Sequence, residues 1–267
     1  MKPRPPVPHL PIPHDVRASW PGWDSEVAWA HVAEATTWRL KQDEQVRYLK
    51  LLQQGCYPAL EEEQVRIEWL KSFLRVPELA GYGTAEGLEW LLLDAVPGLD
   101  ATKAKHELTI QVLVEALARG LRLFHETLPV ASCPFDFRLD AALAHVRRRI
   151  EQGKIDPEHH FHPIHSHYTP QRALEWLEHN RPESEHLVVC HGDYCLPNIM
   201  LEADQVTGYI DLGEVGVADR WWDLAIATWS LEWNLGAGWE GVFLNAYGVQ
   251  ADSRRSAYYR LLYDMVG

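Results

Sequence analysis

The 267-residue chain has no unbroken apolar run of the length a membrane-spanning helix needs, about eighteen residues or more, so no membrane segment is expected. Its start, MKPRPPVPHLPIPH, places proline where a secretory leader needs an apolar helical stretch, and the expectation is a cytoplasmic protein. Cysteine is scarce. Cys56, Cys133, Cys190 and Cys195 are scattered and form no C-x-x-C pair, which excludes a disulfide scaffold and leaves reduced thiols as the default. Positive charge is in deficit, with 25 Lys and Arg against 38 Asp and Glu and a formal net charge of −13. Such a field repels nucleic acid and welcomes a polycation, although the same charge also serves solubility. No internal repeat is present, and the biased segments are the proline-rich start and the histidine-rich stretch His159 to His167. What remains is a hydrophobic content of 46%, sufficient for one large domain or two lobes around a shared cleft.

Residues 1–22 carry many prolines and no periodicity and read as an irregular arm. Val46 to Leu51 alternates like a strand, which puts Tyr48 and Lys50 on one face. Leu60 to Leu74 reads as a helix, with Val65, Trp69 and Phe73 at four-residue spacing and Glu61, Glu62 and Glu63 near its positive end. Leu88 to Leu93 is a buried strand broken by Asp94-Ala95-Val96-Pro97-Gly98, a hinge composition. The domain reading is a first lobe over 1–93, a hinge over 94–98 and a second lobe over 99–267. Helical spacing recurs from Ile110 to Phe124 and near 139–151, 170–179, 221–233 and 252–265, so the second lobe is mostly α.

The most informative stretch is LVVCHGDYCLPNIML at 187–201, followed by Asp211-Leu212-Gly213. A buried strand runs into a loop and the loop into a hairpin. Asn198 opens the first hairpin strand and Asp211 follows the second, Thr207 to Ile210, so antiparallel pairing brings an amide and a carboxylate to one end. Asp193 lies five residues before Asn198, at the mouth of the same loop. Phosphoryl transfer needs this grouping, because Mg²⁺ takes a few protein oxygens plus phosphate oxygens while a separate carboxylate faces the attacking hydroxyl. Each residue alone has an ordinary reading: Asp193 in a tight turn, Asn198 at a strand start, Asp211 as a turn carboxylate.

HGD-x₄-N, then IDLG, then VADRWWDLA resembles the catalytic and metal-binding segments of protein kinases, and more closely those of the aminoglycoside 3′-phosphotransferases, from about Val46 to Leu262. The resemblance implies a two-lobed α+β protein-kinase-like fold with a small β-rich first lobe and a larger, mostly α-helical second lobe. It implies ATP, or GTP, and Mg²⁺ in the cleft and a cationic aminoglycoside as acceptor. Under it Asp193 is the catalytic base, Asn198 and Asp211 are Mg²⁺ ligands, and Lys50 reaches the α- and β-phosphates with Glu63 as its ion-pair partner. Tyr48 is placed to stack on adenine, and the Asp94 carbonyl and Val96 N–H to read the base edge. Asp264, in the C-terminal YYRLLYDMVG, keeps one of the acids the family places against the drug. His191 and Gly192 shape the loop. Asp223 either holds that loop by accepting backbone N–H groups or is a first-turn helix carboxylate.

Three features depart from the family pattern. No G-x-G-x-x-G precedes Lys50, and the corresponding loop, His31 to Ala35, lacks a small hydroxyl residue. Glu214 stands where the family commonly has arginine, and Tyr263 where it has an acid. Three alternatives remain open from sequence: a kinase of another hydroxylated molecule, a nucleotide-binding pseudokinase, and a metal protein using His159, His160, His162, His165 and His167. Against the pseudokinase, Lys50, Glu63, Asp193, Asn198 and Asp211 are all present. The sequence leaves monomer against homodimer open.

Overall fold

A computed structural model describes residues 9–31 and 34–267. The chain divides into two compact units that meet in sequence between Val96 and Pro97, inside the 94–98 segment.

In the first unit the helix α1 (His14–Ala18) precedes the strands β1 (Asp24–His31), β2 (Ala35–Gln42) and β3 (Gln45–Gln53), the helix α2 (Leu60–Leu70), and the strands β4 (Leu79–Ala85) and β5 (Leu88–Asp94). The strands form one antiparallel sheet in the order β1-β2-β3-β5-β4. Alternation along β3 sends Leu49 and Leu51 into a core with Leu10, Val16, Trp23, Leu40 and Leu92, while Tyr48 and Lys50 take the other face. The arm is therefore more ordered than expected: Leu10 donates its N–H to Thr36 Oγ1 at 2.8 Å and accepts Trp38 Nε1–H at 3.0 Å. Its apolar residues cover a sheet face, and they are too few and too irregularly spaced to show this in sequence. Residues 1–8 lie outside the described residues.

Helix α2 ends at Leu70, before a turn, and the expected apolar stripe is its outer face: Val65 is 52% and Phe73 38% exposed. The inner face is Leu60, Glu63, Arg66, Ile67 and Leu70. Charged residues at two inner positions disguise it from a hydrophobic count. The helix start is capped from β5, where Glu89 Oε2 accepts the Leu60 N–H at 2.8 Å.

The second unit opens with β6 (Leu99–Asp100), α3 (Ala101–Ala104), α4 (Ile110–Thr127), α5 (Leu139–Glu151), α6 (Pro157–His160) and α7 (Pro170–His179). It continues through β7 (Leu187–Cys190), β8 (Ile199–Glu202), β9 (Gln205–Tyr209), β10 (Gly216–Asp219), α8 (Trp221–Leu235), α9 (Glu240–Tyr247) and α10 (Ser253–Val266). The fold class is α+β, with an antiparallel sheet in the first unit and helices dominating the second. Helix α8 is buried from Trp221 to Leu231 and forms the centre of the second unit, with α10 packed on it. Helix α4 supports the hairpin: Tyr194 and Tyr209 donate their hydroxyls to the carbonyls of Leu117 and Gly120, each at 2.9 Å. No helix among the described residues is long and apolar enough to cross a membrane.

Candidate active site

The loop after β7 is organised by one buried carboxylate. Asp223, in the first turn of α8 and 0% exposed, accepts the His191 N–H at Oδ2 (2.7 Å) and the Gly192 N–H at Oδ1 (2.9 Å). His125 Nε2, from α4, lies 2.9 Å from the same Oδ2, and His125 Nδ1 meets the Tyr247 hydroxyl at 2.8 Å. Trp222 Nε1–H holds the Gly192 carbonyl at 2.9 Å. The two sequence readings of Asp223 thus coexist, since a first-turn carboxylate also faces the positive helix end. Gly192 has φ +92°, and a Cβ there would lie 2.5 Å from both Cβ and the carbonyl oxygen of Glu214. Only glycine allows the chain to pass Glu214 at that distance.

Asp193 follows, half-buried, with donors on both carboxylate oxygens. Oδ2 accepts Asn198 Nδ2–H at 2.8 Å; Oδ1 accepts the Cys195 thiol at 2.9 Å and the Tyr263 hydroxyl at 3.0 Å. Burial and the charge of Asp211 push the Asp193 carboxyl above its usual range, and the bonds from Cys195 and Tyr263 oppose that rise. Burial and the neighbouring Asp193 charge raise the Cys195 thiol, which keeps it a donor.

Asn198 closes a 3₁₀ turn, Leu196–Asn198, rather than opening β8, and its carbonyl accepts the Ile210 N–H at 3.0 Å. Pairing of Ile199 with Tyr209 therefore brings Asn198 and Asp211 to the same end of the hairpin. Asp211 is exposed and has φ +61°, a left-handed conformation uncommon outside glycine. With Asn198 Nδ2 turned to Asp193, its amide oxygen remains as the group for a cation. One amide oxygen and one carboxylate are a donor set that suits Mg²⁺, which takes few protein oxygens when phosphate supplies others.

In the first unit Lys50 Nζ is 2.5 Å from Glu63 Oε2, and Glu63 is 1% exposed. Tyr48, half-buried, lies between Arg39 and Leu93 in the sheet. The Asp94 side chain accepts Arg47 Nε–H at 2.7 Å, and its N–H is spent on the Glu78 carbonyl at 2.9 Å. The Val96 N–H has no acceptor among the described residues. Of the loop expected to meet phosphate, Val32 and Ala33 fall outside the described residues.

Asp264, expected against the drug, is 5% exposed and turned inward: its Oδ2 accepts the His162 N–H at 2.8 Å and lies 2.6 Å from His165 Nδ1. This carboxylate organises the histidine segment. The segment's other rings are dispersed, with His159 Nδ1 2.7 Å from Asp156 Oδ2 and His162 packed on Trp229, centroids 4.5 Å apart. These contacts hold the rings in separate places rather than as one ligand set. His125, Cys190 and Asp223 lie within metal-ligand reach of one another. Asp223 is already occupied by backbone donors, and the protonated Cys190 thiol bonds the Asp219 carbonyl at 3.3 Å.

The sequence profile of the APH phosphotransferase enzyme family matches residues 27–259. The chain belongs to this family. An aminoglycoside 3′-phosphotransferase of Streptomyces fradiae is 40% identical to it over 212 residues, 76% of this chain and 78% of the relative. A streptomycin 3″-kinase of Streptomyces griseus is 33% identical over 228 residues, 80% and 82% of the two chains. Among solved structures, an aminoglycoside 3′-phosphotransferase of type VIII superposes with a TM-score of 0.81 at 31% identity, covering 94% of this chain and 96% of that one. Aminoglycoside phosphotransferase APH(3″)-Id of Streptomyces rimosus, solved with ADP and streptomycin, gives 0.75 at 28% identity over 94% and 96%. The phosphotransferase is thus an enzyme of aminoglycoside phosphotransferase type with the kinase-like fold that its HGD-x₄-N and IDLG segments resemble.

Several supports of the phosphotransferase site escaped the sequence reading. Asp219, within the quoted VADRWWDLA, is fully buried and accepts the Trp221 N–H at 2.8 Å and Arg255 Nη1–H at 2.5 Å, tying α10 to the start of α8. His125 lies 98 residues from Asp223, and no local pattern marks it. Tyr263 is legible in sequence only as a missing acid, whereas its hydroxyl lies on Asp193.

Proposed function

We propose that the phosphotransferase moves the γ-phosphoryl group of ATP to the 3′-hydroxyl of an aminoglycoside. The observation that carries this reading is Asp193, a half-buried carboxylate fixed by Asn198 at the mouth of a loop pinned to Asp223. Asp193 accepts a hydrogen bond from the acceptor hydroxyl, orients its lone pair towards the γ-phosphorus and takes the proton as the new bond forms. Because the transition state is loose, positioning and charge neutralisation supply most of the acceleration. Asn198 Oδ1 and Asp211 would hold Mg²⁺, which when bound neutralises charge on the phosphates. Lys50, oriented by Glu63, binds the α- and β-phosphates. Tyr48 stacks on adenine, while the Asp94 carbonyl and Val96 N–H read its edge. The S. rimosus relative solved with ADP and streptomycin supports an adenine nucleotide and an aminoglycoside.

The second reading is the 3″-hydroxyl of streptomycin, favoured by the S. griseus and S. rimosus relatives. Identity to the S. fradiae 3′-enzyme is higher, and the 3′ position is preferred. A coupled ADP-release assay over kanamycin, its 3′-deoxy analogue, streptomycin and unrelated alcohols separates the readings. Turnover of kanamycin but not of the 3′-deoxy analogue is expected, and turnover of streptomycin alone selects the second reading. Activity only on a simple alcohol, or none with any acceptor, removes both.

A further inference from the structure

The mechanism above leaves two donors on Asp193 unused, the Cys195 thiol and the Tyr263 hydroxyl. Tyr263 comes from the last turn of α10, a helix whose start is tied to β10 through Arg255 and Asp219. Its hydroxyl lies 3.0 Å from Asp193 Oδ1, beside the Cys195 thiol. A carboxylate offers roughly four lone-pair directions. Asn198 takes one on Oδ2 while Cys195 and Tyr263 share Oδ1, so the acceptor hydroxyl enters at the direction still open. The phenol is a firm donor, since burial and the Asp193 charge hold its pKa well above the usual tyrosine range. Its oxygen keeps lone pairs of its own, on the Oδ1 side of a carboxylate whose open direction lies on Oδ2. The sequence pattern expected an acid at this position, and an acid there would repel Asp193 rather than bond it.

Resting on the phosphotransfer reading, we propose that Tyr263 is a positioning residue for the transfer, its hydroxyl fixing the rotation of the Asp193 carboxylate and accepting a hydrogen bond from a hydroxyl of the acceptor. The site selects at that point for a hydroxyl-bearing carbon, where a carboxylate would select for an ammonium group. Tyr263→Phe removes one hydroxyl and keeps the ring.

The test pairs kinetics with infrared spectroscopy. With whichever acceptor the wild type turns over, Tyr263→Phe is expected to lower kcat about tenfold, one 1.4 kcal/mol step. The KM for ATP and the melting temperature stay within twofold and within a degree or so. Equal kcat in the two proteins overturns the proposal, and so does a matching loss of ATP binding, which would mark a merely structural role. The S–H stretch of Cys195, assigned by its disappearance in Cys195→Ala, should move when Tyr263→Phe leaves Oδ1 to the thiol alone. An unmoved band overturns the contact whether or not any acceptor is found, so failure of this inference is distinguishable from failure of the functional reading. Acceptor selection is read with Tyr263→Glu, expected to favour an acceptor with an amino group in place of a hydroxyl; unchanged preference refutes the selectivity.

Discussion

At the scale of single residues, side chains that look alike in sequence do different jobs because their surroundings differ. Lys50 and Glu63 were legible as a pair only through the resemblance to the kinase pattern, and the near-complete burial of Glu63 adds a consequence. Lys50→Ala leaves a buried carboxylate without its nearest cation and should destabilise the protein by about 3–5 kcal/mol, well beyond a surface ion pair. The double variant Lys50→Met, Glu63→Gln should recover much of that in denaturant unfolding while its KM for ATP remains high. If the double variant also regains ATP affinity, Lys50 does not touch phosphate. Gly192 makes a second residue-scale case. An added methyl at φ +92° meets Glu214 at 2.5 Å, so Gly192→Ala should cost about 1–3 kcal/mol in unfolding experiments and displace the neighbouring Asp193. Unchanged stability together with unchanged kcat would show that the loop relaxes freely. The positive φ of Gly192 was not readable from the sequence, since a glycine next to a histidine has no fixed conformation until a neighbour crowds it.

At the scale of elements, the short loop that carries Asp193 is held by α4 and α8 together, through His125 and Asp223. Asp223→Asn keeps the shape but removes the charge that two backbone N–H groups and an imidazole share, and each charge-assisted bond contributes about 1.5–3 kcal/mol. The expected result is a loss of about 2–4 kcal/mol in chemical unfolding, with kcat falling more than the KM for ATP because the loop carries Asp193 and not Lys50, the residue proposed to bind the nucleotide. The segment before α7 gives a pH prediction. His162 has its pKa lowered from 6.5, first by burial and secondarily through the opposing influences of Asp264, His165, Glu232 and Arg260, with its ring against Trp229 and Trp233. The folded chain then binds fewer protons than the unfolded chain, so stability is full above pH 6.5, declines as the pH falls through 6.5 towards the folded pKa, and levels off below it. His162→Gln should flatten that limb in melting curves recorded from pH 8 to 5, and a profile identical to wild type would remove His162 as its source. Periodicity located α5 and α7 well, because each has an apolar stripe against a polar face. It misjudged the face of α2, where Glu63 and Arg66 occupy inner positions.

At the scale of the whole molecule, the charge of −13 sets a long-range field that favours a cationic acceptor and disfavours the nucleotide. For a polycationic acceptor, KM should rise with ionic strength between about 0.01 and 0.5 M while the KM for ATP stays level or falls, since the Debye length shrinks from about 30 Å to a few Å over that range. A salt-independent acceptor KM would mean that contacts, not the field, supply the affinity. The sequence by itself determined the fold class, most of the helices and the grouping of Asp193, Asn198 and Asp211 around one hairpin. Those properties are local: strand alternation, helical spacing, and the short separation of Asp193, Asn198 and Asp211 in the chain. Tertiary structure alone decided which donors each carboxylate meets. Asp223 and Asp219 are bound up by backbone and arginine donors, Asp264 is turned inward to the histidine segment, and Asp193 keeps an open direction. A carboxylate's role depends on the donors that reach it, and here those donors come from helices many residues away: His125 on α4, Arg255 and Tyr263 on α10. No spacing rule within the sequence brings them together; the packing of α4 and α10 around α8 does.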